Sequence, residues 1–148
     1  MLILDLINSG ARKLKNNQII SYKLDSEILL AKILNKKREE IIVNSAEKVS
    51  ENDIKCFNKL ILRRSSSEPL AYIINEKEFW SKNFYVNKNT LIPRPETELM
   101  IEKIVNFYKN KKIKVLDIGT GTGCILLSIL SELTKSSGVG IDISREAI

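Results

Sequence analysis

Residues Ile113 to Cys124 read IKVLDIGTGTGC, and this stretch decides the fold. Ile113, Val115, Leu116 and Ile118 predict a short buried strand of the kind found in parallel sheets. It ends at the glycine run Gly119-Thr120-Gly121-Thr122-Gly123. Ile125, Leu126, Leu127, Ile129, Leu130 and Leu133 then predict an apolar helix that stops before Ser136-Ser137-Gly138. Val139 to Asp142 predicts a second strand, and Ser144 is a candidate cap for a following helix. Strand, glycine turn, helix, strand is the opening of a doubly wound α/β sheet. Two strands do not complete such a sheet, so we expect the domain to be only begun within these residues.

Each residue type in this stretch has a chemical reason. Glycine allows positive φ and lets a ligand lie against bare backbone. Amides at the turn and helix start are able to bind polar or anionic atoms. An acidic side chain at the end of the second strand accepts from both ribose hydroxyls of a nucleoside, and Asp142 lies 19 positions after Gly123. The spacing here is G-x-G-x-G, whereas dinucleotide sites read G-x-G-x-x-G, and Asp117 stands two positions before the first glycine. A carboxylate there repels a pyrophosphate and attracts a cation. The stretch therefore fits S-adenosylmethionine, with its ammonium and sulfonium, better than NAD. A glycine turn with no ligand is the bland reading; the agreement of strand, loop, helix and Asp142 weighs against it.

Upstream, Pro93-Arg94-Pro95-Glu96-Thr97-Glu98 punctuates the chain. Pro95 suits a first helical turn, and Glu96 and Glu98 complement the helix N-terminus. The helix continues through Leu99, Ile101, Ile104, Val105 and Tyr108. The segment reads either as a well-made helix start or as a rigid loop that closes over a ligand. Before it, residues 76–92 read as a β-hairpin linker, with strands at Glu78-Phe79-Trp80 and Phe84-Tyr85-Val86 separated by Ser81-Lys82-Asn83. Its aromatic residues suggest a hydrophobic clamp between domains, or a stacking platform.

Residues 1–75 predict a small bundle of five short helices. Ile3, Leu6, Ile7 and Leu14 mark the first, and Leu24, Ile28, Ala31 and Leu34 the buried face of the second, capped by Ser21 or Asp25. A short helix over Arg38 to Val43 follows. Ser50-Glu51-Asn52-Asp53 resembles a capping box with Asp in place of Glu, opening a helix with Ile54, Phe57, Leu60 and Ile61. The last helix spans Pro69 to Ile74. This region is either packing alone or a recognition module. The expected architecture is thus an α+β chain in two parts. A helical bundle (1–75) and a hairpin linker (76–92) precede the incomplete start of a Rossmann-like doubly wound α/β domain (93–148).

Composition narrows the function. The chain has 148 residues, 43% of them hydrophobic and 28% charged, an ordinary globular mix. It has no histidine, which excludes Ser-His-Asp hydrolysis, His-based zinc sites and His general-base chemistry within it. Cys56 and Cys124 have no partner ligands, so no metal site is expected. The net charge of +6 is spread along the sequence and reads as solvated surface, so no direct nucleic-acid binding is expected. No apolar run is long enough to span a bilayer, and the N-terminus lacks a signal-peptide pattern, so a cytoplasmic protein with reduced cysteines is expected.

DIGTGTG (117–123) followed by GIDIS (140–144) resembles the class I S-adenosylmethionine-dependent methyltransferases. EPLAYIINEKEFWSKNFYVNKNTLIPRPETE (68–98) looks like the linker of the release factor glutamine methyltransferases, the PrmC/HemK family. The layout is similar over the whole chain, and the combination of EFW, LIPRPETE and DIGTGTG is specific where no single piece is. The resemblance implies N5-methylation of the glutamine in the Gly-Gly-Gln motif of class 1 peptide-chain release factors, with S-adenosylmethionine as cofactor. It implies that the glycine run lines the methionine end of the cofactor, that Asp142 holds the ribose, and that Thr97 and Glu98 lie near the pocket. The helical region would help dock the release factor. One departure matters. The family's Asn-Pro-Pro-Tyr motif, which holds the substrate glutamine, does not occur in this sequence. The expected site residues are therefore Asp117, Gly119, Thr120, Gly121, Thr122, Gly123, Asp142, Thr97 and Glu98, all for cofactor binding, with no catalytic residue in these 148 positions. The expectation is a fragment inactive by itself. The alternatives are an amino-group methyltransferase acting on adenine in nucleic acid, or a truncated chain serving only as a docking module.

Overall fold

The computed structural model describes residues 1–147. The chain divides into two compact units, Met1–Ile74 and Asn75–Ile148.

The first unit is helical: α1 (Ile3–Asn16), α2 (Tyr22–Leu34), α3 (Arg38–Val43), α4 (Glu51–Ser65) and α5 (Leu70–Ile74). α1, α2 and α4 pack on one another around Leu6, Leu14, Leu29, Leu30, Phe57 and Ile61. The capping residue of α4 is Ser50, whose Oγ accepts from the Asp53 amide at 3.1 Å. The buried face of α2 differs from the periodic reading. Leu24 is exposed and Ile28 half-buried, whereas Asp25, Ser26, Leu29 and Leu30 are buried. Asp25 is therefore not a cap. Long-range partners allow these polar side chains inside: Arg64 Nε lies 2.7 Å from Asp25 Oδ2, and Ser26 Oγ donates to the Ile7 carbonyl at 2.8 Å. Glu27 is likewise buried and pairs with Arg38 at 2.6 Å.

The second unit opens with a hairpin, β1 (Glu76–Phe79) paired antiparallel with β2 (Lys82–Tyr85). The turn is shorter than expected. It comprises only Trp80 and Ser81, both at positive φ (51° and 54°). Two-residue turns of this hand match the twist of the flanking strands. A tryptophan rarely takes this conformation, and two carboxylates hold it. Glu98 Oε1 accepts from the Trp80 amide and Glu132 Oε1 from its indole N–H, each at 2.8 Å. Phe79 and Phe84, edge to face at 6.3 Å, lie in the unit's own core with Trp80 packed against it, while Tyr85 is exposed.

After a 3₁₀ turn at Pro95–Thr97 come α6 (Glu98–Tyr108), β3 (Lys114–Ile118), α7 (Cys124–Glu132) and β4 (Ser137–Ile141). β4 starts two residues before the expected strand. β3 and β4 are parallel neighbours, with Asp117 opposite Gly140 and Ile118 opposite Ile141. α7 packs against both strands, and Leu126 sits over Gly138, where an added Cβ would lie 2.5 Å from its Cδ1. Only one face of the sheet is covered. Val115, Asp117, Gly138 and Gly140 are half-buried, while Leu116, Ile118 and Val139 are 62%, 75% and 60% exposed. The expectation of a strand buried on both faces is thus corrected: α7 covers one side, and nothing among the described residues covers the other. Among the described residues no helix is long and apolar enough to cross a membrane, and no group of acidic, Cys or His side chains is arranged to hold a metal.

Candidate functional site

The loop between β3 and α7 owes its shape to its glycines. Gly119, Gly121 and Gly123 have φ of 77°, 52° and 73°, a left-handed region that side chains disfavour. The G-x-G-x-G spacing is this alternation written in sequence. Gly123 is also the residue that enters α7, its carbonyl accepting from the Leu127 amide at 2.9 Å. Beyond Gly119 and Gly121 the space is open: a Cβ placed on either would meet no atom within 4 Å. The backbone there is bare and accessible.

The loop amides are engaged within the protein. Gly119 and Thr120 both donate to the Ile141 carbonyl, at 2.8 and 3.0 Å. Gly121 donates to Asp142 Oδ2 at 2.8 Å, and Gly123 to the Thr120 carbonyl at 2.8 Å. These four amides are thus already paired, whereas the sequence reading held loop amides able to bind polar or anionic ligand atoms. A phosphate cradle needs amides aimed outward, and these four are turned onto β4 and the loop itself.

Two carboxylates frame the loop. Asp117, at the end of β3, accepts from Thr120 Oγ1 at 2.8 Å. Asp142 follows β4 and bridges two amides, Gly121 through Oδ2 and Ser144 through Oδ1 at 2.9 Å. The Ser144 amide, and then the Gly121 amide, hold the Asp142 carboxyl below the usual aspartate range, so the group is ionised and the bridge closed at neutral pH. Ser144 contributes its backbone amide here, and its side chain faces Glu146 across a 3₁₀ turn. Cys124 is the first residue of α7 and is buried, and burial pushes its thiol up, favouring the protonated form.

The structure brings Gly119, Thr120, Gly121, Thr122 and Gly123 of the loop together with Asp117 at the end of β3 and Asp142 just after β4. Thr122 closes the loop, its Oγ1 accepting from the Cys124 amide at 3.4 Å. Glu98 has a different engagement, since its carboxylate holds the Trp80 turn. Thr97 is half-buried at the end of the 3₁₀ turn, where its amide donates to the Arg94 carbonyl at 3.0 Å. Sequence reading missed Gly140. A Cβ there would lie 2.7–3.0 Å from the Thr120 side chain. A glycine inside a strand signals such close approach, and that was the available clue.

Residues 5–74 match the PrmC N-terminal domain family. Across its whole length the chain is 43% identical to the release factor glutamine methyltransferase of Buchnera aphidicola subsp. Baizongia pistaciae, of which it covers 53%. The chain is a relative of the release factor glutamine methyltransferases. It is 37% identical to the one from Nitratidesulfovibrio vulgaris over 97% of its length, covering 48% of that protein. With the one from Leptospira interrogans it shares 40% over 99% of its length, covering 52%. The chain thus spans about half the length of these methyltransferases. The glycine loop and both carboxylates lie outside the family match, in the part covered by the pairwise similarity.

Proposed function

We propose that this chain supplies the docking unit and the methyl-donor half-site of a protein-(glutamine-N5) methyltransferase acting on class 1 peptide-chain release factors. In this reading residues 1–75 dock the release factor, residues 76–92 link, and residues 93–148 begin a Rossmann-like, doubly wound S-adenosylmethionine domain. The carrying observation is the loop itself, with two carboxylates, bare glycine backbone and inward-turned amides. That donor set suits a cationic nucleoside ligand and disfavours a pyrophosphate.

The residues fit S-adenosylmethionine. Asp117 offers negative charge to the ammonium end, and the open faces of Gly119 and Gly121 admit the ligand against the backbone. Asp142 keeps lone pairs free beyond its two amide contacts and accepts from the ribose hydroxyls. Thr97 and Glu98 are proposed for the pocket's rim, where Glu98 acts by anchoring the hairpin to α6. When bound, the donor supplies an electrophilic methyl on a sulfonium. The acceptor amide nitrogen is a poor nucleophile, so transfer depends on orienting it, and this chain's part in that is to fix the donor.

A chimera tests the reading: residues 1–148 joined to the C-terminal half of the Buchnera relative, given labelled S-adenosylmethionine and a release factor. Label is expected on the Gly-Gly-Gln glutamine. A chimera that binds the donor yet leaves that glutamine unlabelled refutes the substrate assignment.

A further inference from the structure

Thr120 lies between the two glycines with open space beside them, yet its own side chain faces inward. Its hydroxyl donates to Asp117 Oδ2 at 2.8 Å. Its amide donates to the Ile141 carbonyl at 3.0 Å, on the neighbouring strand. Its Oγ1, Cβ and Cγ2 occupy the space over Gly140, at 2.7, 2.9 and 3.0 Å from where a Cβ would be. Asp117 and Gly140 are register partners across the two strands. One side chain therefore ties the end of β3 to β4 and holds one oxygen of the loop's leading carboxylate. Without that tether the Asp117 side chain has free torsions, and a ligand that needs its charge must first order it.

We propose that Thr120 is a positioning residue for the cationic end of the donor. Its hydroxyl occupies Asp117 Oδ2, leaving Oδ1 to meet the ligand, while Gly140 exists to admit the threonine. The inference rests on the donor-site reading above. It separates hydroxyl from volume: Thr120→Val keeps the packing over Gly140 and loses the tether, whereas Thr120→Ser keeps the tether.

The test titrates the chimera described above, in which the domain is completed, and its variants with S-adenosylmethionine, following amide chemical shifts by NMR, with melting temperature measured alongside. Thr120→Val is expected to weaken binding about five- to tenfold, as for one lost hydrogen bond of ordinary strength acting through Asp117, and Thr120→Ser to stay within about twofold. In an Asp117→Ala background, Thr120→Val should have almost no further effect, because Thr120 acts through Asp117. This coupling keeps the test decisive even if Thr120→Val lowers the melting temperature. Equal affinity of Thr120→Val and wild type, equal weakening by Ser and Val, or full additivity with Asp117→Ala would each overturn the proposal. A wild-type chimera that melts cooperatively yet shows no response to the donor is a distinct result: it overturns the donor-site reading, and this proposal with it.

Discussion

Arg64→Met is expected to destabilise the helical unit by about 3–5 kcal/mol, the usual cost of removing one partner from a buried ion pair. Arg64 Nε meets Asp25 Oδ2 at 2.7 Å, with side chains only 16% and 4% exposed. Its Nη1 also donates to the Glu68 carbonyl at 3.0 Å, so the guanidinium joins α2, α4 and the chain after α4. Removing it leaves Asp25 charged and buried, with Ser21 Oγ at 2.9 Å as its remaining donor. The isosteric repair, Asp25→Asn with Arg64→Met, should restore much of the loss because no charge is left buried. Far-UV circular dichroism during urea unfolding reads the helices. Trp80, the chain's single tryptophan, reports the second unit by fluorescence. An Arg64→Met midpoint unchanged by circular dichroism contradicts the assignment of Asp25 as a buried, paired charge.

Gly10→Val is expected to cost about 3 kcal/mol or more, at or beyond the upper end of overpacking. A Cβ at this position in α1 would lie 2.6 Å from Ser26 Oγ, 2.7 Å from Phe57 Cζ and 2.9 Å from Ile61 Cδ1. Ser26 cannot yield freely, because its hydroxyl is bonded to the Ile7 carbonyl at 2.8 Å. Phe57 is fully buried. The gain of at most about 1 kcal/mol from removing a helical glycine is outweighed. Urea unfolding followed by circular dichroism checks this, and a midpoint at or above wild type would show that α1 does not approach α2 and α4 this closely.

What was legible in the sequence follows from how local each feature's cause is. The glycine loop could be read because positive φ selects glycine residue by residue, and because Gly119, Gly121 and Gly123 adopt it. Ser50 could be read as a cap because its partner, the Asp53 amide, is three residues away. The face of α2 could not. Asp25 looks like a surface or capping residue until Arg64, 39 positions later, is brought against it. Leu116 and Ile118 looked buried because apolar strand residues usually are, yet which side of a sheet is covered depends on the helices laid on it. The Trp80–Ser81 turn was missed because tryptophan is a poor left-handed residue, held here by carboxylates from α6 and α7. Within the candidate site, the residue types at Asp117 and Asp142 were visible. The direction of the loop amides was not, since it depends on the register of β4 beside β3.

The central claim is that this loop holds a cationic methyl donor. Because residues 1–148 carry only half the site and are expected to bind the donor feebly or not at all alone, it is tested most directly by titrating the isotopically labelled chimera with S-adenosylmethionine and, separately, with NAD, while following every backbone amide. The account predicts saturable shifts that, within residues 1–148, centre on Gly119–Gly123 and the residues flanking Asp142 under S-adenosylmethionine, and none there under NAD. Shifts at the loop under NAD alone, or donor-induced shifts that bypass the loop, contradict it.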